Sequence, residues 1–349
     1  MSLKENITRT KVERFLIATA AVFIIIAGLR FASVIVVQFL LALFLAIIIS
    51  KPMNFLKRKG IPTILAVLIV VLAVLASGFI LLVIIGTSLN DFLDRLPEYQ
   101  ERLQDKVSFF LNWLNRLGLS VADQTVLDVL NPGAAMNLIG NMLKGLSKTF
   151  SNAFIILLMT VFLMLEASEF PGKVRKAFLK PDTSLHAFET FTAKVQRYMI
   201  IKTFISLATG VCIGILLAII GLHYFILFGL LAFILNYIPT IGSIIALIPA
   251  LFIAIIELGF WEVMLVVAGY FAVNTIFGSI IEPRVMGRGV GLSTLVVFLS
   301  LIFWGWVFGP IGMLLSVPLT MVLKLALEIR EETRWIAVLL GPSKPQDVV

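Results

Sequence analysis

FILFGLLAFILNYIPTIGSIIALIPALFIAII, residues 225–256, and LVVFLSLIFWGWVFGPIGMLLSVPLTMVL, residues 295–323, decide the fold. Each is an apolar run broken at its centre. The first break is Asn236-Tyr237-Ile238-Pro239-Thr240-Ile241-Gly242, and the second is Gly305-Trp306-Val307-Phe308-Gly309-Pro310-Ile311-Gly312. Proline deletes an amide donor and glycine loosens the backbone, so both open the helix ladder. Lipid cannot satisfy the opened groups, which must be buried in protein or line a wet cavity. Interrupted segments in corresponding positions point to a transporter's binding site. Residues 225–238 make about fourteen residues of helix, or ~21 Å. A hydrocarbon core of ~30 Å needs about twenty residues. Each arm is short for a full span, so the pattern predicts re-entrant helical hairpins rather than one long kinked span.

Working outward, 60% of the 349 residues are hydrophobic and 14% are charged. A soluble domain is nearer half apolar and a quarter charged. The chain reads as an all-α polytopic membrane protein. Residues 15–29, 31–49, 64–85, 150–165, 199–221 and 261–281 are the conventional spans. Together with the two broken stretches they give about six full transmembrane helices plus two re-entrant hairpins. Gly28-Leu29-Arg30 separates the first two spans, and Ser50-Lys51-Pro52 ends the second. Lys4, Arg9, Lys11 and Arg14 before the first span resemble a signal peptide, but a second apolar run follows at once. An uncleaved span is expected.

The formal charge of +8 follows the membrane rather than a nucleic acid. Lys57, Arg58 and Lys59, the bases from Lys173 to Arg197, the pair Arg284 and Arg288, and the tail bases sit beside apolar spans. The positive-inside rule places these and both termini in the cytoplasm. The first hairpin then enters from outside and the second from the cytoplasm. A kinked first stretch would instead put Arg284 and Arg288 outside.

Residues 90–149 differ. Leu89, Phe92, Leu96, Tyr99, Leu103, Val107, Phe110, Leu114 and Leu117 recur at three- and four-residue spacing. That is an amphipathic helix pattern. Pro97 interrupts it, and Asn131-Pro132-Gly133 starts a new helix. The chain divides into 1–89 (scaffold spans), 90–149 (extramembrane helices), 150–198 (a span and a basic cytoplasmic loop), 199–323 (transport unit) and 324–349 (cytoplasmic tail). Within the transport unit, Pro239 and Gly242 precede Pro249 as Pro310 and Gly312 precede Pro318. Each hairpin follows a conventional span, so span plus hairpin is a candidate inverted repeat.

The candidate site gathers at the breaks. Asn236 can cap the opened backbone or contact a solute. Pro239, Thr240, Gly242 and Ser243 shape the turn and start the returning arm, whose free amides suit a polar ligand. Asn274, Gly278 and Glu282 share a helix face at four-residue spacing, with Thr275 and Ser279 beside them. Such a stripe faces protein or a cavity. Glu282 is either a proton or cation site or an interfacial partner of Arg284 or Arg288. Gly309, Pro310 and Gly312 form the second tip. Lys202, Ser206, Gly210 and Gly214 form another stripe at four-residue spacing, in which Lys202 reads as a snorkelling anchor and Gly210 and Gly214 as close helix packing.

Cys212 is the only cysteine, and His186 and His223 are the only histidines. No P-loop, zincin motif or nucleophile elbow occurs. The sequence assigns no catalytic residue, metal site or cofactor, and an enzyme is not expected.

Gly229-Leu230-Leu231-Ala232-Phe233 leading into Asn236–Ser243 resembles the signature of the autoinducer-2 exporter family of bacterial membrane proteins. So do Glu282-Pro283-Arg284-Val285-Met286-Gly287-Arg288-Gly289, and Gly309-Pro310-Ile311-Gly312 followed by Ser316-Val317-Pro318-Leu319. The resemblance covers nearly the whole chain. It implies a secondary transporter of the inner membrane, assembled as a homo-oligomer with a pentamer as candidate order. It implies export of autoinducer-2, a small polar signal. Other members resemble sodium or lithium/proton antiporters, so a coupling cation is the alternative partner. A non-transporting assembly or regulatory protein is the third reading. The opposed hairpins motivate an elevator-like movement of the transport unit against the scaffold.

Overall fold

The computed structural model describes residues 3–117, 133, 137, 140–141, 153–177, 181–239, 241–286, 291–328 and 331–342. Among these residues every regular element is helical. Helices α1 (Leu3–Phe31), α2 (Ser33–Arg58), α3 (Thr63–Asp94) and α4 (Leu96–Arg116) lead to α5 (Ala153–Ala177) and α6 (Pro181–Ile220). Then come α7 (Phe225–Leu235), α8 (Gly242–Glu257) and α9 (Phe260–Asn274), the last continued by a π-helical segment over Thr275–Ile281. The remaining helices are α10 (Glu282–Met286), α11 (Thr294–Leu314), α12 (Ser316–Glu328) and α13 (Glu331–Leu339).

Five stretches are long and apolar enough to cross a membrane: Ser33–Arg58, Thr63–Ile80, Thr192–Ile220, Phe260–Met286 and Thr294–Leu314. Shorter apolar helices cover Leu16–Phe31, Phe154–Ala167, Phe225–Leu235 and Gly242–Glu257. Large apolar side chains such as Phe23, Ile24, Phe79 and Phe271 face outward. That is the inverse of a soluble protein and what lipid requires. The chain is a polytopic membrane protein.

Several sequence boundaries move. Helix α1 runs through Gly28-Leu29-Arg30 to Phe31 and breaks at Ala32 instead. Pro52 does not end α2, which continues to Arg58. Proline costs that helix a backbone bond, but Met53 just beyond it is buried beside Ala66, Val67, Val70 and Met164. Tertiary packing outweighs the local break. The basic loop expected over 173–197 is largely helical, since α5 reaches Ala177 and α6 already starts at Pro181. Pro97 does mark a boundary: α3 ends at Asp94 and Pro97 sits in the first turn of α4, where its missing amide costs nothing. Of the amphipathic positions, Leu89, Phe92, Tyr99 and Leu103 are buried, with Leu96 and Val107 packed against them. Leu117 is exposed. Asn131 and Pro132 lie outside the described residues, and Gly133 is helical.

Both broken stretches fold back on themselves. In the first, α7 has 11 residues, about 16 Å of helix. The chain turns through 236–241 and returns as α8. A Cβ on Gly242 would strike the Leu235 carbonyl, so glycine is what lets the arms close. The two ends meet again at the base, where Glu257 accepts from the His223 amide at 3.2 Å and pairs with His223 Nδ1 at 3.0 Å. In the second, the chain breaks at Gly309 (φ 68°, ψ −153°), a backbone state closed to other residues, and again at Leu315 between α11 and α12. A Cβ on Gly312 would strike the Trp304 carbonyl. Trp304 Nε1 donates to Thr320 Oγ1 of α12 at 3.0 Å. At its base Lys324 Nζ donates to the Gly291 carbonyl at 2.6 Å.

Helix α6 is the wall on which both hairpins rest. Its turn of Val195, Tyr198 and Met199 packs with Val307, Phe308, Leu315 and Val317 of the second hairpin. Further along, Gly210 and Gly214 receive α7. A Cβ on Gly210 would lie 2.6 Å from the Gly229 carbonyl oxygen and 2.7 Å from Phe233 Cβ. A Cβ on Gly229 would lie 3.0 Å from Gly214 Cα. Small residues let the two backbones touch. Gly210→Ala therefore forces the helices apart and is expected to cost about 1–3 kcal/mol, as overpacking does. Thermal unfolding in detergent checks this: the variant melts lower, while Gly78→Ala, with open space at that Cβ, does not.

Candidate functional site

The α6 face toward the first hairpin carries polar groups on successive turns. Lys202, Ser206 and Thr209 are buried there. Thr209 returns its hydroxyl to the Ile205 carbonyl at 2.9 Å, and Thr203 does the same to Met199 at 2.7 Å. The other two look outward from α6. Ser206 Oγ accepts from Asn236 Nδ2 at 3.0 Å. Beside it the Tyr237 hydroxyl donates to Thr203 Oγ1 at 2.7 Å. The tip of the first hairpin is thus fastened to α6 by two side-chain bonds. Asn236 ends α7 in the chain, but its amide reaches across to α6.

One turn before Ser206 stands Lys202. Its Nζ lies 2.8 Å from both carboxylate oxygens of Glu282. The lysine side chain is 4% exposed and the glutamate 20%. This corrects two expectations. Lys202 does not snorkel to an interface. Glu282 is not paired with Arg284, which is exposed, and Arg288 lies outside the described residues. The π segment explains the re-aiming. The Glu282 amide bonds the Phe277 carbonyl five residues back, so this stretch is wound more loosely than an α-helix. Asn274 still lies against Gly278, its Oδ1 3.3 Å from where a Gly278 Cβ would sit, but the looser winding takes Glu282 off the four-residue period. Asn274 and Thr275 are partly buried and Ser279 is exposed, and Glu282 reaches Lys202 of α6. Such π segments recur at functional sites.

The pair also fixes the topology. From Lys202 to Ile220, α6 runs about 27 Å to the base of the first hairpin. From Phe260 near that base, α9 and its π continuation run back to Glu282. The two are therefore antiparallel, and the second hairpin starts from the end opposite the first. Its tip lies beside α1, where the Arg30 guanidinium is 4.4 Å from the Trp306 ring centroid. Gly309, Pro310 and Gly312 form that tip, apart from the Asn236 contacts. Near it the Ser316 hydroxyl is fully buried without a hydrogen-bond partner among the described residues. Of the first-tip residues, Gly242 is buried and Ser243 is partly buried in the first turn of α8. Pro239 occupies the turn, and Thr240 lies outside the described residues.

The base of the first hairpin is held by a second polar cluster. The Tyr99 hydroxyl donates to Glu257 at 2.9 Å. Lys106 Nζ caps the end of α8 by donating to the Ile255 carbonyl at 2.6 Å. The Tyr224 hydroxyl donates to Asp91 at 2.6 Å. That hydrogen bond holds the Asp91 carboxyl below the usual carboxylate range. Burial, with the same bond, pushes the Tyr224 phenol up to about 12. Tyr224 is also the one non-glycine with positive φ among the described residues (58°). Its edge-on contact with Phe92, centroids 5.6 Å apart, helps hold that conformation. Helix α4, part of the extramembrane helical region expected from sequence, is thus tied directly to the hairpin.

The profile of the AI-2E family transporter matches residues 15–331. The chain belongs to that family. It is 42% identical to the AI-2 transport protein TqsA of Escherichia coli, over 94% of this chain and 95% of that one. It is 40% identical to a putative transport protein of Haemophilus influenzae, over 94% of this chain and 96% of that one. The putative transport protein YhhT of Escherichia coli is 34% identical over 95% of each chain. As a member of a transporter family, the chain is a multi-pass membrane transporter, and its work is transport rather than catalysis.

Lys202 and Ser206 were legible as a stripe, but the partner of each lies on a distant segment. One signal could have found the pair. A lysine inside an apolar span wants a buried acid, and Glu282 is the acid closing the next span. Removing one member of a buried pair typically costs 3–5 kcal/mol, while replacing both is often near neutral. Glu282→Gln alone is therefore expected to lower the unfolding midpoint clearly. Lys202→Met/Glu282→Gln is expected to recover most of that loss, read by denaturation in detergent.

Proposed function

We propose that this AI-2E transporter exports a small polar solute of the autoinducer-2 class across the bacterial inner membrane. One observation carries the location. Asn236–Ser206 and Lys202–Glu282 put buried donors and acceptors on adjacent turns of α6, where a hairpin tip meets a π-wound segment. A solute rich in hydroxyl and carbonyl oxygens can exchange with each of these bonds. The polar neighbourhood is neutral overall, since one ammonium matches one carboxylate. The family membership and the name of the Escherichia coli relative, an AI-2 transport protein, support autoinducer-2 as the solute.

In this reading the two hairpins are re-entrant and enter from opposite faces, because α7 turns back after 11 residues, α11 is broken at Gly309, and each hairpin returns to its own base. With the α6 and α9 spans they form an inverted repeat. Both termini are cytoplasmic, and the protein works as a homo-oligomer, with a pentamer as candidate order. The transport unit moves against α1–α3 and α5 in an elevator-like step. Helix α4 and the adjoining last turn of α3 travel with the first hairpin, since Tyr99, Lys106 and Asp91 bind its base. The alternative, sodium or lithium/proton antiport, is less favoured because the Lys202 ammonium already fills the position a cation would take at Glu282.

Purified protein in proteoliposomes tests the reading. Autoinducer-2 efflux is expected from the native chain, reduced at least tenfold by Asn236→Ala, with no sodium-driven pH change. Sodium- or lithium-dependent pH changes lost in Glu282→Gln, without autoinducer-2 flux, would replace it with antiport. Flux of neither kind would point to an assembly role.

A further inference from the structure

The Lys202–Glu282 pair is unequal in its access to solvent. The ammonium is sealed, with 4% of its side chain exposed, while the carboxylate keeps an open side at 20%. Both carboxylate oxygens face one Nζ at 2.8 Å, the arrangement a single small cation would adopt. Hydroxyl groups of the kind that ligate an alkali cation neighbour Lys202 in the α6 sequence. Thr203 and Ser206 lie on the same turn and the next. Asn236 gives its Nδ2 to Ser206, and its Oδ1 has no hydrogen bond to a described residue. Lysine is a compact point charge on a flexible stem, so it can stand in for such an ion and can also be withdrawn.

We propose that Glu282 is a monovalent-cation site whose resident occupant is the Lys202 ammonium, which excludes sodium from it. The inference rests on reading this cluster as the transport site, and it deepens that reading. It makes Lys202 the residue that decides whether the chain couples to a cation. With the lysine in place the site carries no net charge to be filled by an ion from solution. Without it, a partly shielded carboxylate is left unpaired and is neutralised by a proton or a cation, with alkaline pH favouring the cation. A chain of the same fold with a neutral residue at this position would bind sodium where this one does not.

Binding of radiolabelled sodium to the full-length protein in detergent at pH 8.5 tests this without any flux. Lys202→Met is expected to bind about one sodium per chain, at least tenfold tighter than the native protein. Lys202→Met/Glu282→Gln is expected to return to the native level. Lys202→Gln keeps a polar group against the carboxylate and carries the same test should the methionine variant not fold. Sodium binding in the lysine variants equal to that of the native chain would overturn the proposal. So would a gain that survives Glu282→Gln. Failure of autoinducer-2 efflux with the sodium gain intact would remove the exported solute and leave the resident cation standing. Efflux without the gain would do the reverse.

Discussion

An ammonium and a carboxylate, both largely withdrawn from water, join α6 to the end of the α9 span. The rest of the transport half depends on that contact. A buried charge is tolerated only with its partner, so Lys202 and Glu282 have to stay in register while the protein rests. That register sets α6 and α9 antiparallel and places the second hairpin opposite the first. It also brings the Asn236 tip and the π segment to one stretch of α6, because Ser206 is one turn from Lys202.

Glycine supplies the complementary constraint. The contact of Gly210 and Gly214 with Gly229 lets α7 lie directly on α6, and Gly242 and Gly309 let the two chains reverse. With side chains removed, backbone carries the packing and the few polar groups beside it become specific. In this arrangement the tip is not held by bulk apolar contact alone. It is held by Asn236 and Tyr237, whose hydrogen bonds a polar solute can replace. The base is held differently, through Tyr99, Lys106 and Asp91 on the α3–α4 side. The hairpin thus has one exchangeable end and one tethered end.

Much of this was legible in the chain. The two interruptions, their short arms and the closing role of Pro97 follow from backbone chemistry that acts locally. The Gly210/Gly214 stripe was readable as packing for the same reason. What was not legible depends on distant partners. The exit of α2 at Pro52 was overruled by Met53 packing against α3 and α5. The face shared by Asn274, Gly278 and Glu282 assumed an α-helical period that the π segment breaks. Lys202 reads as an anchor in the sequence because its acid lies eighty residues away and no local rule connects them. The Asn236 amide was split between cap and contact, and its bond to Ser206 again needed the third dimension.

The central claim is that a solute enters where the first hairpin tip meets α6. Cysteine protection tests it most directly, in a chain whose own Cys212 is replaced by alanine. With cysteine in place of Ser243, the partly buried first-tip residue that keeps Asn236 and Tyr237 intact, a small maleimide should react more slowly when autoinducer-2 is added. With cysteine at position 244, where Ile244 faces outward at 61% exposure, the rate should not change. Equal rates at position 243 with and without the solute would contradict the account.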